Sequence, residues 1–398
     1  MARLNRHYLK LSGSYLFSEI DERVAALPKG TPLLRLGVGD FTRPVPSLAL
    51  EALKVATDEL GHVESFKGYG PCPGYGFLRE AIAKVDYAGL GVAPDEVFIS
   101  DGACNDLCDI QELFGPGNRI AVLDPTYPAY VDSAVMGGRT QRLLTSGRYG
   151  GIEYVPCTEA NGFSPGPPAR RVDLMYVCSP NNPTGVGLKR ETLVQWVEKA
   201  REWGALILFD GAYEAYVRSQ DVPRSIYEIP GADEVAIEAR SFSKSAGFTG
   251  IRCSYLVVPQ KVQIDGVSLR DLWLRRVDTK TNGVSYPIQR AAEALYTDEG
   301  QRHIREATDA FLAQAQEMGA GLRKLGYRVF GGVDAPYVWC QAPQGLTSWQ
   351  FFDRLLHGAH IVTVPGRGFG LSGEGFVRFS GFAPQSVIRE ALTRVSSL

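Results

Sequence analysis

One sequence pattern recurs along the first two thirds of the chain: a short apolar run, a polar or Gly/Pro-rich cluster, and then a helical pattern. The apolar runs are residues 97–100, 120–124, 174–178, 205–209 and 235–240. Most of their residues are apolar on both faces, which is typical of strands in a buried parallel sheet. Residues 188–203 have the apolar periodicity of a helix between two such runs. This alternation predicts an α/β domain.

Polar clusters follow these runs, at residues 101–106, 125–130, 179–185, 210–216 and 241–250. Ligands of parallel sheets bind outside the carboxyl ends of the strands, so the clusters should share one edge of the sheet. A single cluster would be an ordinary turn. Five clusters that carry Asn, Asp, Tyr, Ser, Lys and Arg predict a functional site at that edge.

The pattern changes near residue 290. Residues 301–325 have the periodicity of a long amphipathic helix. The short alternating runs that follow are split by Gly and Pro, at 327–332, 335–340, 360–366 and 375–382. They predict a second, α+β domain with an antiparallel sheet.

Composition excludes several classes of protein. The chain has 42 Lys and Arg against 44 Asp and Glu, so a strongly basic nucleic-acid binder is excluded. No apolar stretch approaches the ~20 residues that span a bilayer, and the N-terminus has no secretory pattern, so we expect a cytoplasmic protein without a membrane partner. The seven cysteines form no C-x-x-C pair, and only His357 and His360 lie close together, so we expect no metal site.

Lys244 is the first candidate for chemistry. It lies between Ser241, Ser243 and a Gly-containing stretch, where it neither caps a helix nor covers a surface stripe. A lysine amine can form a Schiff base with an aldehyde cofactor. The two serine hydroxyls and Arg252 could bind a phosphate ester on that cofactor. The alternative is an exposed lysine in a turn.

Asp210 and Asn182 strengthen this interpretation. Asp210 ends an apolar run, and a buried carboxylate needs a partner, for which a protonated pyridine nitrogen is suitable. The alternative role for Asp210 is a helix cap. Asn182 precedes a proline, which favours an extended backbone, and its amide could donate to a phenolate oxygen. The order Asn-Pro-x-Gly, Asp, Lys makes the pattern specific.

Three further features fit a phosphorylated aromatic cofactor and an amino-acid substrate. The small residues at 102–104 open a helical pattern, where backbone N–H groups can approach a phosphate. Tyr127 could stack on an aromatic ring. Arg378 lies among apolar residues and needs an anion, for which a substrate carboxylate or a structural ion pair would serve.

Together these residues resemble the fold-type I pyridoxal-phosphate aminotransferases, and among them the LL-diaminopimelate aminotransferases. The resemblance covers nearly the whole chain, and its most specific segments are 8–20, 68–82, 178–185, 241–252, 279–289 and 365–382. It implies a mostly parallel seven-stranded sheet in a large domain of residues 46–290. Residues 1–45 and 291–398 would form the small α+β domain.

The resemblance also implies a role for each matching position. Lys244 would carry pyridoxal 5'-phosphate as a Schiff base and move a proton through a quinonoid, with Asp210 on the pyridine nitrogen and Tyr127 stacked on the ring. The phenolic oxygen would be contacted by Asn182 and Tyr213. The phosphate would be held by Ser241, Ser243, Arg252, Ala103 and Cys104.

On the substrate side, the resemblance implies that Arg378 binds the α-carboxylate. Further cofactor or substrate contacts match Tyr15, Gly39, Tyr69 and Asn282. The active site would lie at a homodimer interface, with Tyr69 and Asn282 supplied by the neighbouring subunit.

Four departures from the family pattern lie on the substrate side. Cys72-Pro73 replaces Glu-Gln, Cys104 replaces a lysine, Thr281 replaces an aromatic residue, and Arg367 replaces a small one. Diaminopimelate has a second charged head, and each group left unpaired there costs about 1–3 kcal/mol. The departures therefore predict a changed substrate that is bound near Cys72 and Cys104. The alternative is compensation by nearby charges, namely Arg43, Glu64, Lys67 or Arg367.

Three functions follow from these observations. The first is an aminotransferase of the family with a divergent amino-acid substrate. The second keeps the cofactor but eliminates a γ-leaving group and forms a new bond, for example on S-adenosylmethionine. The third is a non-catalytic binding protein, against which the retained set of cofactor residues argues.

Overall fold

The computed structural model describes residues 2–11 and 16–398. Its α-helices are α1 Leu16–Ala25, α2 Ser47–Glu59, α3 Gly76–Val85, α4 Ala103–Asp109, α5 Ala129–Met136, α6 Arg190–Trp203, α7 Phe242–Ser245, α8 Leu269–Lys280, α9 Tyr286–Ala294, α10 Asp298–Lys324, α11 Ser348–Ala359 and α12 Gln385–Val395. Its strands are β1 Leu34–Arg35, β2 Val97–Ser100, β3 Ile120–Asp124, β4 Ile152–Pro156, β5 Leu174–Cys178, β6 Leu206–Asp210, β7 Ala236–Ser241, β8 Ser254–Val257, β9 Gln263–Ile264, β10 Val267–Ser268, β11 Val329–Gly331, β12 Tyr337–Gln341, β13 Ile361–Val362, β14 Val364–Pro365 and β15 Phe376–Ser380.

The large sheet has seven strands in the order β2-β8-β7-β6-β5-β3-β4. All neighbouring pairs from β7 to β4 are parallel, whereas β8 is antiparallel to both β7 and β2. Because only β8 is reversed, the five predicted strands end at the same edge. The predicted mostly parallel α/β fold is confirmed.

Two details of the sheet differ from the sequence-based expectation. The run at 97–100 was expected in parallel pairing, but β2 is an edge strand whose neighbour is the antiparallel β8. The apolar runs did not include β4 or β8, which complete the sheet.

The central strands β3, β5 and β6 are buried on both faces, because helices cover each side of the sheet. Alternate residues of β5 belong to different cores: Met175 and Val177 pack with Trp196 of α6, whereas Tyr176 packs with Trp273 of α8. Burying an aliphatic side chain of this size contributes about 1.5–3 kcal/mol. The two cores therefore hold the strand ends, and the polar clusters after them, in fixed positions.

The C-terminal part contains the predicted antiparallel sheet, in the order β11-β12-β15-β14. Helices α10, α11 and α12 pack on it through Met318, Phe351 and Ile388. Strand β1 pairs in parallel with β13, which ties the N-terminal segment to this part of the chain. The domain boundaries near residues 45 and 290 stay a prediction.

In the described ranges, 2–11 and 16–398, no helix is long and apolar enough to cross a bilayer.

Candidate active site

A cavity of about 530 Å³ lies where the carboxyl ends of β5, β6 and β7 meet the small sheet. Residues from both sheets line it, so it forms only when the two parts pack together. Most of the predicted site residues are among its lining: Gly39, Ala103, Cys104, Tyr127, Asn182, Asp210, Tyr213, Ser241, Ser243, Lys244, Arg252 and Arg378.

Lys244 lies in the short helix α7, directly after β7. The Ser241 hydroxyl caps this helix by accepting from the Ser243 backbone N–H at 3.2 Å. The Lys244 side chain is half-buried, and its Nζ donates to the Gly39 carbonyl at 2.5 Å. The amine is therefore held inside the cavity rather than extended into solvent from a turn.

Asp210 ends β6 and is only 8% exposed. Its Oδ2 accepts from the Tyr130 hydroxyl, and its Oδ1 accepts from the Ala212 N–H at 3.0 Å. Burial raises the pKa of Asp210, although the two hydrogen bonds and the charge of Lys244 oppose the rise. A carboxylate has about four acceptor positions, so Asp210 can also accept from a protonated ring nitrogen.

Hydroxyls and a guanidinium meet at one end of the cavity. Arg252 donates from Nη1 to the Ser243 hydroxyl at 3.2 Å. The Nη2 of Arg252 lies against Gly102, where an added Cβ would be 2.3 Å from it. Helix α4 begins at the next residue, Ala103. This combination of donors suits a phosphate group.

Cys104 lies at the same end, near Tyr127. The Tyr127 hydroxyl donates to its sulfur at 3.7 Å. A hydrogen bond from Cys108, and then the one from Tyr127, lowers the pKa of Cys104 to about 7, against the opposing effect of burial. Near neutral pH this thiol is therefore partly anionic, so its charge is opposite to that of a lysine.

Arg378 lies on β15, opposite Trp339 of β12, and is 2% exposed. Its Nη1 donates to Asn182 Oδ1 at 2.5 Å and its Nη2 donates to the Gly37 carbonyl at 2.6 Å. Its Nε is buried without a hydrogen-bond partner, and no carboxylate pairs with it within residues 2–11 and 16–398. The structural ion pair that was the alternative is thus absent there, and an anionic ligand would complete the site.

The cavity also includes a residue that the sequence reasoning missed, Tyr337. Its hydroxyl is 2.7 Å from that of Tyr213, and the Arg378 guanidinium lies 4.2 Å from the centre of its ring. Burial, and then Tyr337, raises the pKa of Tyr213 well above its ordinary value, so Tyr213 keeps its proton. The available signal was an aromatic residue in the run 335–340, on the strand that pairs with the one carrying Arg378.

Comparison with known families identifies the family to which the chain belongs. The family model for class I and II aminotransferases matches residues 31–395. The chain belongs to this family of aminotransferases. The prediction of a pyridoxal-phosphate-dependent aminotransferase is therefore confirmed, and the γ-elimination alternative is not favoured.

Individual relatives cover this aminotransferase from end to end. It is 49% identical to an LL-diaminopimelate aminotransferase of Methanosphaera stadtmanae, over 100% of this chain and 99% of the relative. It is 48% identical to one of Bacteroides fragilis, over the whole of both chains. Among solved structures, the L,L-diaminopimelate aminotransferase of Chlamydomonas reinhardtii is 41% identical with a TM-score of 0.95, covering 100% of this chain and 98% of that one.

The cofactor of this aminotransferase is pyridoxal phosphate, and the residues present fit it. The amine of Lys244 suits its aldehyde, the buried carboxylate of Asp210 suits its ring nitrogen, and Arg252 with its serine neighbour suits its phosphate. Arg378 lines the same cavity, and its buried Nε has no hydrogen-bond partner among the described residues.

Three other predicted site residues do not line the aminotransferase cavity. Tyr69 is 89% exposed, and Asn282 is also exposed. Cys72 donates from Sγ to the Thr281 carbonyl at 3.6 Å, so it is held on the 281–283 segment instead. Cys72 therefore does not line the cavity of its own chain, and its contact with the substrate stays a prediction. Tyr15 lies outside the described residues.

Proposed function

We propose that this aminotransferase removes the amino group of an α-amino acid that Arg378 holds by its α-carboxylate, and that its preferred side chain differs from that of diaminopimelate. The observation that supports this is the shared cavity of four charged groups: Lys244, Asp210, Arg252 and Arg378 line it together. Transamination needs a ring partner and a phosphate anchor for the cofactor, together with a proton carrier and a carboxylate anchor for the amino acid.

We propose that the charged residues act through their positions. Arg252 and the nearby serines would fix the phosphate, and Asp210 the ring nitrogen, so that the cofactor's reactive carbon faces Lys244. When bound, pyridoxal phosphate supplies an electron sink for the negative charge left by loss of the Cα proton. The Lys244 amine would take that proton and return it. Arg378, by holding the α-carboxylate, would keep the Cα hydrogen within reach of the Lys244 amine.

The distal part of the site supports a changed substrate. Of the candidate compensating charges, Arg43 packs over Phe311 and Lys67 over Tyr286. Arg367 lies 3.9 Å from Glu374. None of these lines the cavity in its own chain, and the partly anionic Cys104 cannot replace a cationic lysine. Within one chain, a second charged amino-acid head would therefore find none of these compensating charges in the cavity, where Asp40 is the charged lining residue left beside the four already assigned.

The test is an absorbance titration of the protein loaded with cofactor against a panel of amino acids. The panel is LL-diaminopimelate, glutamate, lysine, ornithine, arginine and S-adenosylmethionine. We expect one of the other amino acids to convert the bound cofactor from its aldehyde to its amine form. Adding a 2-oxo acid should then reverse this change. We expect LL-diaminopimelate to react at least about tenfold less efficiently, from one or more lost polar contacts.

Efficient conversion by LL-diaminopimelate and reversal by 2-oxoglutarate would contradict the changed substrate while leaving transamination intact. Release of methylthioadenosine from S-adenosylmethionine, without dependence on an oxo acid, would instead support the γ-elimination.

We also propose a homodimer with shared active sites. The segment before α3 exposes three large apolar side chains: Val63 is 93% exposed, Phe66 62% and Tyr69 89%. A cluster of this kind is typical of an interface. Its neighbours Cys72 and Thr281 lie on the same surface, so this face could deliver Tyr69, Asn282 and Cys72 to the cavity of a second copy.

Mixed dimers test this arrangement. Lys244→Ala and the double variant Tyr69→Ala/Asn282→Ala should each be nearly inactive alone. Refolded together, they should regain up to about a quarter of the wild-type activity, because half of the dimers are mixed and each has one native site. Light scattering should give twice the chain mass. Mixed dimers without any recovery, or a monomer, would contradict the sharing of sites.

A cytoplasmic location completes the proposal. All seven cysteines are free thiols, which is usual in a reducing compartment.

A further inference from the structure

Tyr337 is the first residue of β12 and forms part of the cavity wall. It pairs with Ser380 of β15, so its side chain lies on the same face of the sheet as Arg378, two residues away. Tyr337 is 1% exposed and contacts both Arg378 and Tyr213. It therefore links the residue proposed for the substrate carboxylate with one predicted at the cofactor.

The Arg378 guanidinium packs over the ring of Tyr337. The guanidinium carbon is 4.2 Å from the centre of this ring and 5.0 Å from that of Phe369. A bidentate grip on a carboxylate requires a guanidinium whose plane is fixed. Because Arg378 is nearly fully buried, its attraction to the ring face is not weakened by water.

The hydroxyl of Tyr337 has a different neighbour, the Tyr213 hydroxyl at 2.7 Å. In such a pair one hydroxyl donates and the other keeps its proton for a second acceptor. The Tyr337 oxygen is closed in by the backbone, since a Cβ added at Gly39 would lie 2.1 Å from it. A second acceptor therefore has room beside the Tyr213 hydroxyl, in the cavity. In that arrangement Tyr337 donates to Tyr213, and Tyr213 donates to the second acceptor.

We propose that Tyr337 is a positioning residue with two separate contacts: its hydroxyl donates to Tyr213, which turns the Tyr213 proton into the cavity, and its ring fixes the plane of Arg378. The inference rests on the proposed function, because the acceptor of that proton is the phenolic oxygen of pyridoxal phosphate and the anion on Arg378 is the substrate α-carboxylate.

The hydroxyl is tested with Tyr337→Phe, which keeps the ring. The readout is the pKa at which the visible absorbance of the bound cofactor changes. A donor on the phenolic oxygen withdraws negative charge and makes the neighbouring nitrogen more acidic, so its loss should raise that pKa by about 0.5 to 1. Tyr213→Phe should raise it at least as much, and adding Tyr337→Phe to that variant should change nothing further.

The ring is tested with Tyr337→Leu. We expect the KM for the amino-acid substrate to rise about tenfold, from loss of the contact between ring and guanidinium, while Tyr337→Phe keeps KM within about twofold. The matched control is Tyr227→Phe. Tyr227 is also buried, but it is not among the residues that line the cavity, and its hydroxyl donates to the backbone carbonyls of Ala236 and Val257. The Tyr227→Phe variant should change neither the pKa of the bound cofactor nor the KM for the amino acid.

An unchanged cofactor pKa in Tyr337→Phe, or a rise that persists in the Tyr213→Phe background, would overturn the inference. So would an unchanged KM in folded Tyr337→Leu; if that variant does not fold, the two Phe variants decide. A wild-type protein that binds no cofactor would overturn the proposed function as well, so the two failures are distinguishable.

Discussion

Replacing Lys244 by alanine is expected to reduce transamination by about 10⁴-fold or more. Lys244 is the amine whose Nζ lies inside the cavity, held by the Gly39 carbonyl and near the carboxylate of Asp210. Under the proposed function, the variant would lose the covalent attachment of the cofactor and the carrier of the Cα proton, and a positioned base alone contributes about 10²–10⁴-fold. The measurement is the single-turnover rate with the preferred amino acid from the panel.

A second readout identifies the lysine directly. Borohydride reduction of the loaded wild type should fix the cofactor on the peptide that contains Lys244, and no peptide should carry it in Lys244→Ala. Lys261→Ala is the matched control, because this exposed lysine pairs with Asp233 at 2.6 Å on the surface. Labelling of a different lysine, or more than about a tenth of wild-type activity in Lys244→Ala, would contradict the proposed role.

The strands that could be predicted from the sequence are those that are buried on both faces. Runs such as 120–124 and 174–178 match β3 and β5 residue for residue, because a strand covered by helices on both sides must be apolar throughout. Strand β4 is only partly buried at the edge of the sheet, so its sequence, IEYVP, has no such run. Strand β8 is buried, but its four residues follow the Lys244 loop closely and resemble a continuation of it.

The same distinction applies to the site. Residues that directly follow a strand could be predicted, because the strand edge brings them together whatever the rest of the fold does. Tyr337 and Tyr130 could not, since their contacts cross 124 and 80 residues of sequence to Tyr213 and Asp210. The Tyr337 contact depends on how the two sheets pack, and the Tyr130 contact depends on how α5 packs against β6.

Replacing Asp210 by asparagine should have opposite effects on activity and on the stability of the cofactor-free protein. The amide keeps the shape of the carboxylate and can still bond Tyr130 and Ala212. It cannot supply the negative charge that keeps a ring nitrogen protonated. We expect transamination to fall by about 10²–10³-fold, the usual effect of removing one electrostatic partner from a buried site.

The stability of the cofactor-free protein should change in the other direction. Burial raises the pKa of Asp210 above its unfolded value of about 3.9, so the folded state binds this proton more tightly than the unfolded state does. The cost of ionising Asp210 in the fold is absent below about pH 4, grows as the pH rises, and levels off above the folded pKa. Asp210→Asn avoids this cost, so its thermal midpoint should exceed that of the wild type at neutral pH and converge with it toward pH 4.

Adding pyridoxal phosphate should reverse this order at neutral pH. The cofactor would bind the folded state and would stabilise the wild type more, because the carboxylate of Asp210, unlike an asparagine amide, would give the ring nitrogen a charged partner. The contrast is Asp334→Asn. Asp334 is also buried, but it accepts from the backbone N–H groups of Arg218 and Ser219 and from the Ser219 hydroxyl, outside the cavity, so its variant should lose stability with or without cofactor. If Asp210→Asn also lost stability in the cofactor-free protein, Asp210 would be a structural carboxylate. A gain that turns into a loss on adding the cofactor is what a charge kept for a ligand requires.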